Sequence, residues 1–269
     1  MPSTIRVPIG KVDGRITRLQ EDILAVERPL EIRVGSKSLS VTMRTPGHDV
    51  ELAAGFLFAE DIISSASQIR GITNLEPNIV AVELSRSSVI KAPTSRRGFM
   101  MTSACGLCGK VSLESLAANR CPVLPPTDLR VDTGLLHSLP QQLRQRQDLF
   151  ETTGGLHAAA LFSPQGELES LREDIGRHNA VDKLIGHALL RFYTPLRDSV
   201  MLVSGRASFE LVQKASMAGI PVLAAVGAPS SLAVSTAERC GMTLIGFLRN
   251  GGFNVYSGGG RVTGLEKYQ

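Results

Sequence analysis

Apolar and polar positions alternate over residues 30–34 and again over 39–44, with Gly35-Ser36-Lys37 between them, a pattern that predicts a β-hairpin. Pro46-Gly47 ends it. From residue 49 to 58 the apolar residues Val50, Leu52, Ala53, Phe56 and Leu57 recur at helical spacing, with Asp49 placed to cap the helix. Residues 79–84 alternate as a strand, 110–118 read as a helix, and another helix ends near Phe150. After His157 the texture changes: strand-like runs at 158–162, 169–173, 200–203, 222–226 and 243–248 alternate with helix-like runs at 180–191, 209–218 and 231–239. Strand and helix in alternation predict an α/β fold, a mixed but mostly parallel sheet flanked by helices. The polar stretch from Ser64 to Pro77 separates a smaller β-rich N-terminal portion, residues 1–75, from an α/β domain spanning 76–269.

Composition changes this picture little. Aromatic residues are scarce, with 9 Phe, 3 Tyr and no Trp in 269 residues, so the core must be aliphatic. The net charge of +4 is spread without a block of like charges, which makes nucleic acid a poor partner and leaves room for an anionic small molecule. Residues 1–9 hold no apolar core of signal-peptide length and no run of about 18 apolar residues occurs, so the expectation is a cytoplasmic protein without a membrane span.

Chemistry enters with the four cysteines. Thr102-Ser103-Ala104-Cys105-Gly106-Leu107-Cys108-Gly109 places a Cys-x-x-Cys just before the helix expected at 110–118. Amides at a helix N-terminus stabilise a thiolate, and the flanking glycines leave it accessible, so Cys105 or Cys108 can accept and surrender a sulfur. Two alternatives stand beside that reading: small structural residues, or a zinc site completed by Cys121 and His137, although no second paired half follows. Cys240 reads as a buried small hydrophobe.

A second concentration of polar residues joins Thr152-Thr153-Gly154-Gly155-Leu156-His157 to Asp174, Arg177, His178, Asn179, Asp182 and Lys183, where a strand hands over to a helix. In open α/β sheets ligands bind at that edge. Three more loops follow strands: Ser204-Gly205-Arg206-Ala207-Ser208, Gly227-Ala228-Pro229-Ser230-Ser231 and Arg249-Asn250-Gly251-Gly252. Small residues, hydroxyls and arginines beside helix starts suit phosphate groups. Neither a Gly-x-Gly-x-x-Gly nor a Walker pattern is present.

These residues resemble the FdhD family, the formate dehydrogenase accessory sulfurtransferases. The resemblance runs through Arg44-Thr45-Pro46-Gly47-His48-Asp49-Val50-Glu51-Leu52-Ala53-Ala54-Gly55-Phe56-Leu57, the Ser103 to Gly109 loop, Thr153-Gly154-Gly155-Leu156-His157-Ala158-Ala159, Glu173-Asp174-Ile175-Gly176-Arg177-His178-Asn179-Ala180-Val181-Asp182-Lys183, Ser204-Gly205-Arg206 and the segment from Gly246 to Tyr256. It implies a persulfide-based sulfur carrier and sulfurtransferase, with a cysteine desulfurase as donor and the molybdenum bis(molybdopterin guanine dinucleotide) cofactor as acceptor, before insertion into formate dehydrogenase. By motif, Cys105 carries the persulfide and Cys108 is its partner. Phe247, Leu248, Arg249, Asn250, Gly251 and Gly252 form the cofactor-binding segment, with Arg206, Arg177 and His178 beside it. GDP is then a cofactor analogue, no metal is permanently bound, the assembly is a homodimer, and the C-terminal domain is similar in architecture to cytidine deaminases. Gly252 stands where the family often has a second basic residue. Deaminase chemistry itself is excluded, because His157 is followed by Ala158-Ala159 rather than by a glutamate two positions on. The rival to sulfur transfer is a molybdenum-cofactor chaperone whose cysteines are structural or bind zinc.

Overall fold

The computed structural model describes residues 1–85, 121–191 and 193–265. The chain opens with a two-stranded antiparallel ribbon, β1 (Thr4–Asp13) and β2 (Ile16–Ala25). A four-stranded sheet follows, in the order β4-β3-β6-β5, from β3 (Arg28–Val34), β4 (Lys37–Arg44), β5 (Ile69–Glu76) and β6 (Ile79–Leu84). The hairpin expected around Gly35 is the β3–β4 pair. Alternation buries one face: Leu30 and Ile32 on β3 and Val80 and Val82 on its parallel neighbour β6 are essentially inaccessible. The domain boundary expected after residue 75 falls in the β5–β6 hairpin, and both strands belong to this sheet.

Helix α1 (Asp49–Ala59) lies between the two halves of the chain. His48 occupies its N-cap position in the left-handed region, and Asp49, expected as the cap, gives its carboxylate instead to Arg44, which binds both oxygens at 2.8 and 2.9 Å. The second half contributes β7 (Val131–Asp132), α2 (Thr133–Gln145), α3 (Asp148–Thr153), β8 (His157–Phe162), β9 (Leu168–Asp174), α4 (Arg177–Leu190), β10 (Val200–Val203), α5 (Phe209–Met217), β11 (Val222–Ala225), α6 (Ser231–Cys240), β12 (Thr243–Arg249), β13 (Gly252–Ser257) and β14 (Val262–Thr263). Six of these strands form one sheet, ordered β13-β12-β11-β10-β8-β9. Only β10, β11 and β12 run parallel; β8, β9 and β13 pair antiparallel, so the sheet is mixed with a parallel centre.

Continuous apolar runs such as Val200-Met201-Leu202-Val203 mark a sheet covered on both faces. Met201, Val203, Leu223 and Ala225 join a core with α1, α4, α5, α6 and the four-stranded sheet; Val200, Leu202, Val222 and Ala224 face Leu136, Leu139 and Leu143 of α2. Helices α1 and α4 touch through Gly55 and Gly186. A Cβ on Gly55 would stand 1.9 Å from the Asp182 carbonyl oxygen, and one on Gly186 1.9 Å from that of Glu51, so only glycine permits this approach. Cys240 is buried, as its sequence context predicts, but it is not a free small hydrophobe: it forms a disulfide with Cys121.

Candidate functional site

Strand direction gathers the predicted loops. Because β10, β11 and β12 are parallel, the segments after them, 204–208, 227–230 and 250–251, emerge at one edge. The antiparallel β8 begins at that edge and β9 ends there, as the pairing of His157 with Asp174 and of Val203 with Ala159 requires, so 154–157 and 175–177 join the same rim. Hydrogen bonds stitch the rim together: the Ala158 amide donates to Ser204 Oγ at 2.9 Å, Gly227 N to the Gly205 carbonyl at 3.0 Å, and Phe247 N to the Gly227 carbonyl at 3.1 Å.

Arg177 starts α4 on this rim. Its Nε is buried with no hydrogen-bond partner, and a Cβ placed on Gly205 would lie 3.2 Å from His157 Nδ1 and 4.0 Å from Arg177 Cδ, so the three residues are neighbours. Burial, with the nearby Arg177 and His178, pushes the His157 imidazole below its ordinary value and favours the neutral ring. His178 is buried, with Nε2 3.3 Å from Ser208 Oγ and 3.6 Å from a Glu210 carboxylate oxygen. Arg206 and Arg249 are exposed on their loops.

The segment from Phe247 to Gly252 divides. Leu248 is fully buried beside Ile245 in the core facing α2, so it supports the site from below. Phe247 adopts a positive φ of 54° and is exposed, while Asn250 and Gly251 turn the chain from β12 into β13, with Arg249 paired to Gly252. This stretch is therefore a hairpin turn rather than a strand-to-helix loop. His137, on α2, holds the turn: its Nδ1 accepts from Gly251 N at 3.3 Å, and its ring lies 5.2 Å from that of Phe253.

Most of the other charged residues read as ligand contacts serve the fold. Asp174 accepts from Lys183 Nζ at 2.7 Å, Asn179 Nδ2 at 3.0 Å, Gly176 N at 2.8 Å and Thr45 N at 3.1 Å. Lys183 also donates to the Thr45 carbonyl and Asn179 to that of Met43, so the cluster locks the N-terminal segment to β9 and α4. Asp182 faces Lys214 of α5 at 2.6 Å. Of the charged residues in that constellation, Arg177 is left for a ligand.

Cys105 and Cys108 lie outside the described residues, as does the helix expected at 110–118. The zinc alternative loses two of its four residues, since Cys121 is bonded to Cys240 and His137 belongs to the β12–β13 turn. Among the described residues no group of three or more His, Cys, Asp or Glu side chains is arranged to hold a metal.

Sequence reading missed one feature of the rim. A cavity of about 540 Å³ opens beside it, bounded by Leu143, Gln147 and Phe150 below and by Gly155, His157 and Ser204 above. The amphipathic spacing of α2 was legible, but nothing in it says that α3 turns back to enclose a space.

The FdhD/NarQ family model matches residues 25–263. The chain is 50% identical over 268 residues to the sulfur carrier protein FdhD of Streptomyces coelicolor, covering 96% of this chain and 93% of that one. It is 51% identical over 263 residues to the protein of the same name from Nocardia farcinica, with 94% and 92% covered, and 42% identical over 252 residues to that of Sulfolobus acidocaldarius, with 94% and 96% covered. Among solved structures it is similar to a formate dehydrogenase accessory protein from Desulfotalea psychrophila, with a TM-score of 0.80 and 25% identity over 97% of this chain and all of that one.

Proposed function

Because the chain belongs to the FdhD/NarQ family, we propose that it is a sulfur carrier serving formate dehydrogenase, which takes sulfane sulfur from a cysteine desulfurase and passes it to a guanine-dinucleotide molybdenum cofactor. The observation that carries the reading is identity of about half, over nearly the whole chain, to proteins named as sulfur carriers. In the proposed reaction the Cys105 thiolate attacks the outer sulfur of the donor's persulfide. The S–S bond of the donor breaks, its thiolate leaves, and Cys105 holds the sulfur as a persulfide until the cofactor accepts it; Cys108 assists as the neighbouring thiol.

The cofactor is the substrate here, and the strand-end rim is the proposed place for its nucleotide ends. Arg177 supports this, since a guanidinium with a buried, unpartnered Nε is suited to a phosphate oxygen, and Arg206 and Arg249 are exposed on the adjoining loops. The reading includes a homodimer, which sedimentation would test.

Incubation with desulfurase and cysteine should add the mass of one sulfur atom to the peptide containing Cys105, and Cys105→Ser should lose both this adduct and activation of formate dehydrogenase. Full activation by that variant overturns the reading, and stoichiometric zinc on Cys105 and Cys108 would favour a cofactor chaperone instead.

A further inference from the structure

We propose that Arg130 and Arg261 form a second oxyanion site, at the sheet edge opposite the rim, and that it takes a doubly charged phosphate or sulfate group. It is separate from the place proposed for the nucleotide ends. Arg261 binds Thr243 at the start of β12, whereas Arg249 stands at the end of that strand, about 20 Å away.

The register of two short strands brings the arginines together. β7 and β14 run parallel with Val131 beside Val262, and both valines are buried in the core that faces α2. Alternation turns the residue before each valine to the other face, and those residues are Arg130 and Arg261. Neighbouring strands lie about 4.8 Å apart, so two like charges stand side by side, which is unfavourable unless something neutralises them. The Arg261 guanidinium registers this: burial first, and the Arg130 charge after it, push it below its ordinary value.

Among the described residues no carboxylate pairs with either arginine. Asp132, two residues from Arg130, caps α2, where it accepts from Gly134 N at 2.8 Å. Neutral groups hold the two side chains instead. Arg130 Nη1 donates to the Leu129 carbonyl at 2.9 Å and to that of Thr127 at 3.5 Å. Arg261 Nη1 donates to Thr243 Oγ1 at 3.2 Å, whose own hydrogen goes to the Gly258 carbonyl at 2.7 Å. Arg261 Nε is buried with no hydrogen-bond partner, a cost that an acceptor can recover. The approach is open, because Gly259 and Gly260 are exposed and a Cβ on Gly260 would meet no atom within 4 Å. Arg261 need only turn toward that opening to present Nε and Nη2 as a fork. A dianion then matches the two charges, and its several oxygens can serve both guanidinia at once.

Urea unfolding of the full-length protein reads the site through a change of sign. In low-salt buffer without oxyanions, Arg130→Gln should be more stable than the wild type, because the repulsion is gone. Sulfate or phosphate, compared with sodium chloride at equal ionic strength, should raise the wild-type midpoint and reverse that order. Calorimetric titration with sulfate should show affinity at least about tenfold weaker in Arg130→Gln and Arg261→Gln, and unchanged in Arg177→Ala on the rim. Arg130 is exposed, so its variant tests the site without disturbing the packing around Thr243. Chloride as effective as sulfate would reduce the effect to screening and overturn the site. Equal sulfate affinity in both variants and wild type overturns it as well, and binding lost only in Arg177→Ala would assign the anion to the rim.

Discussion

Asp174, Arg177 and Lys183 lie within ten residues and have opposite fates. Helical spacing puts Asn179 and Lys183 on the side of α4 that meets Asp174 and the N-terminal segment, whereas Arg177 stands at the helix start and faces the rim. Residue type announced a polar site, but it could not say which charges turn inward, because that depends on the segment around Thr45 more than a hundred residues away. Removing one partner of the buried pair leaves the other charge unpaired, so Lys183→Met should cost about 3–5 kcal/mol in urea unfolding. Arg177→Ala should cost little stability and weaken GDP roughly ten- to a hundredfold, as a lost charge-assisted contact would. Burial alone would raise the Glu210 carboxyl, and hydrogen bonds from His178 and Ser208 overcome it, pulling it down to about 2. A depressed folded-state value contributes stability above the ordinary 4.5 that is lost as pH falls toward 2, so Glu210→Gln should flatten that acid limb of the stability curve.

At the scale of elements, the strands and helices after His157 were legible because their apolar runs have distinct periods and lengths. Their pairing was not. A strand's pattern reports which faces are buried and carries no direction, so antiparallel β8 and β9 read like members of a parallel sheet. Two hairpins also escaped, β1–β2 around Gly14-Arg15 and β12–β13 around Asn250-Gly251, although Asp13-Gly14 and Asn250-Gly251 are strong hairpin dipeptides. The helix contact at Gly55 and Gly186 is the clearest loss, because a glycine inside a helical pattern reads as a weakness until its neighbour is known. Gly55→Ala must push a methyl group into the backbone of α4, which cannot rotate away as a side chain can. Its cost should reach or exceed about 3 kcal/mol, the upper end for overpacking, and chemical denaturation would register it. A variant as stable as wild type would mean that the two helices do not approach so closely in solution.

At the scale of the molecule, the Cys121–Cys240 bond joins residues 119 positions apart. It ties the start of the second described segment to the end of α6, where the Leu124 amide also donates to the Cys240 carbonyl at 2.9 Å and Ser216 Oγ to that of Pro122 at 2.7 Å. The count of four cysteines suggested one reactive pair and two incidental residues, and spacing alone could not pair the latter across half the chain. The bond encloses α2, α3, α4 and α5, so it restricts the unfolded ensemble far more than the folded one. For a closed loop of this length the chain-entropy estimate is about 4–5 kcal/mol, with measured losses of about 2–5 kcal/mol when such a bond is removed. Cys121→Ser and reduction by a dithiol should therefore lower the urea midpoint by similar amounts, and reductant should have no further effect on the variant. The hydrogen bonds at Leu124 and Ser216 remain after reduction, so the native arrangement of α6 should persist below the transition. A wild-type midpoint indifferent to reductant, with both thiols then open to alkylation in the native state, would show that the backbone contacts alone hold this junction.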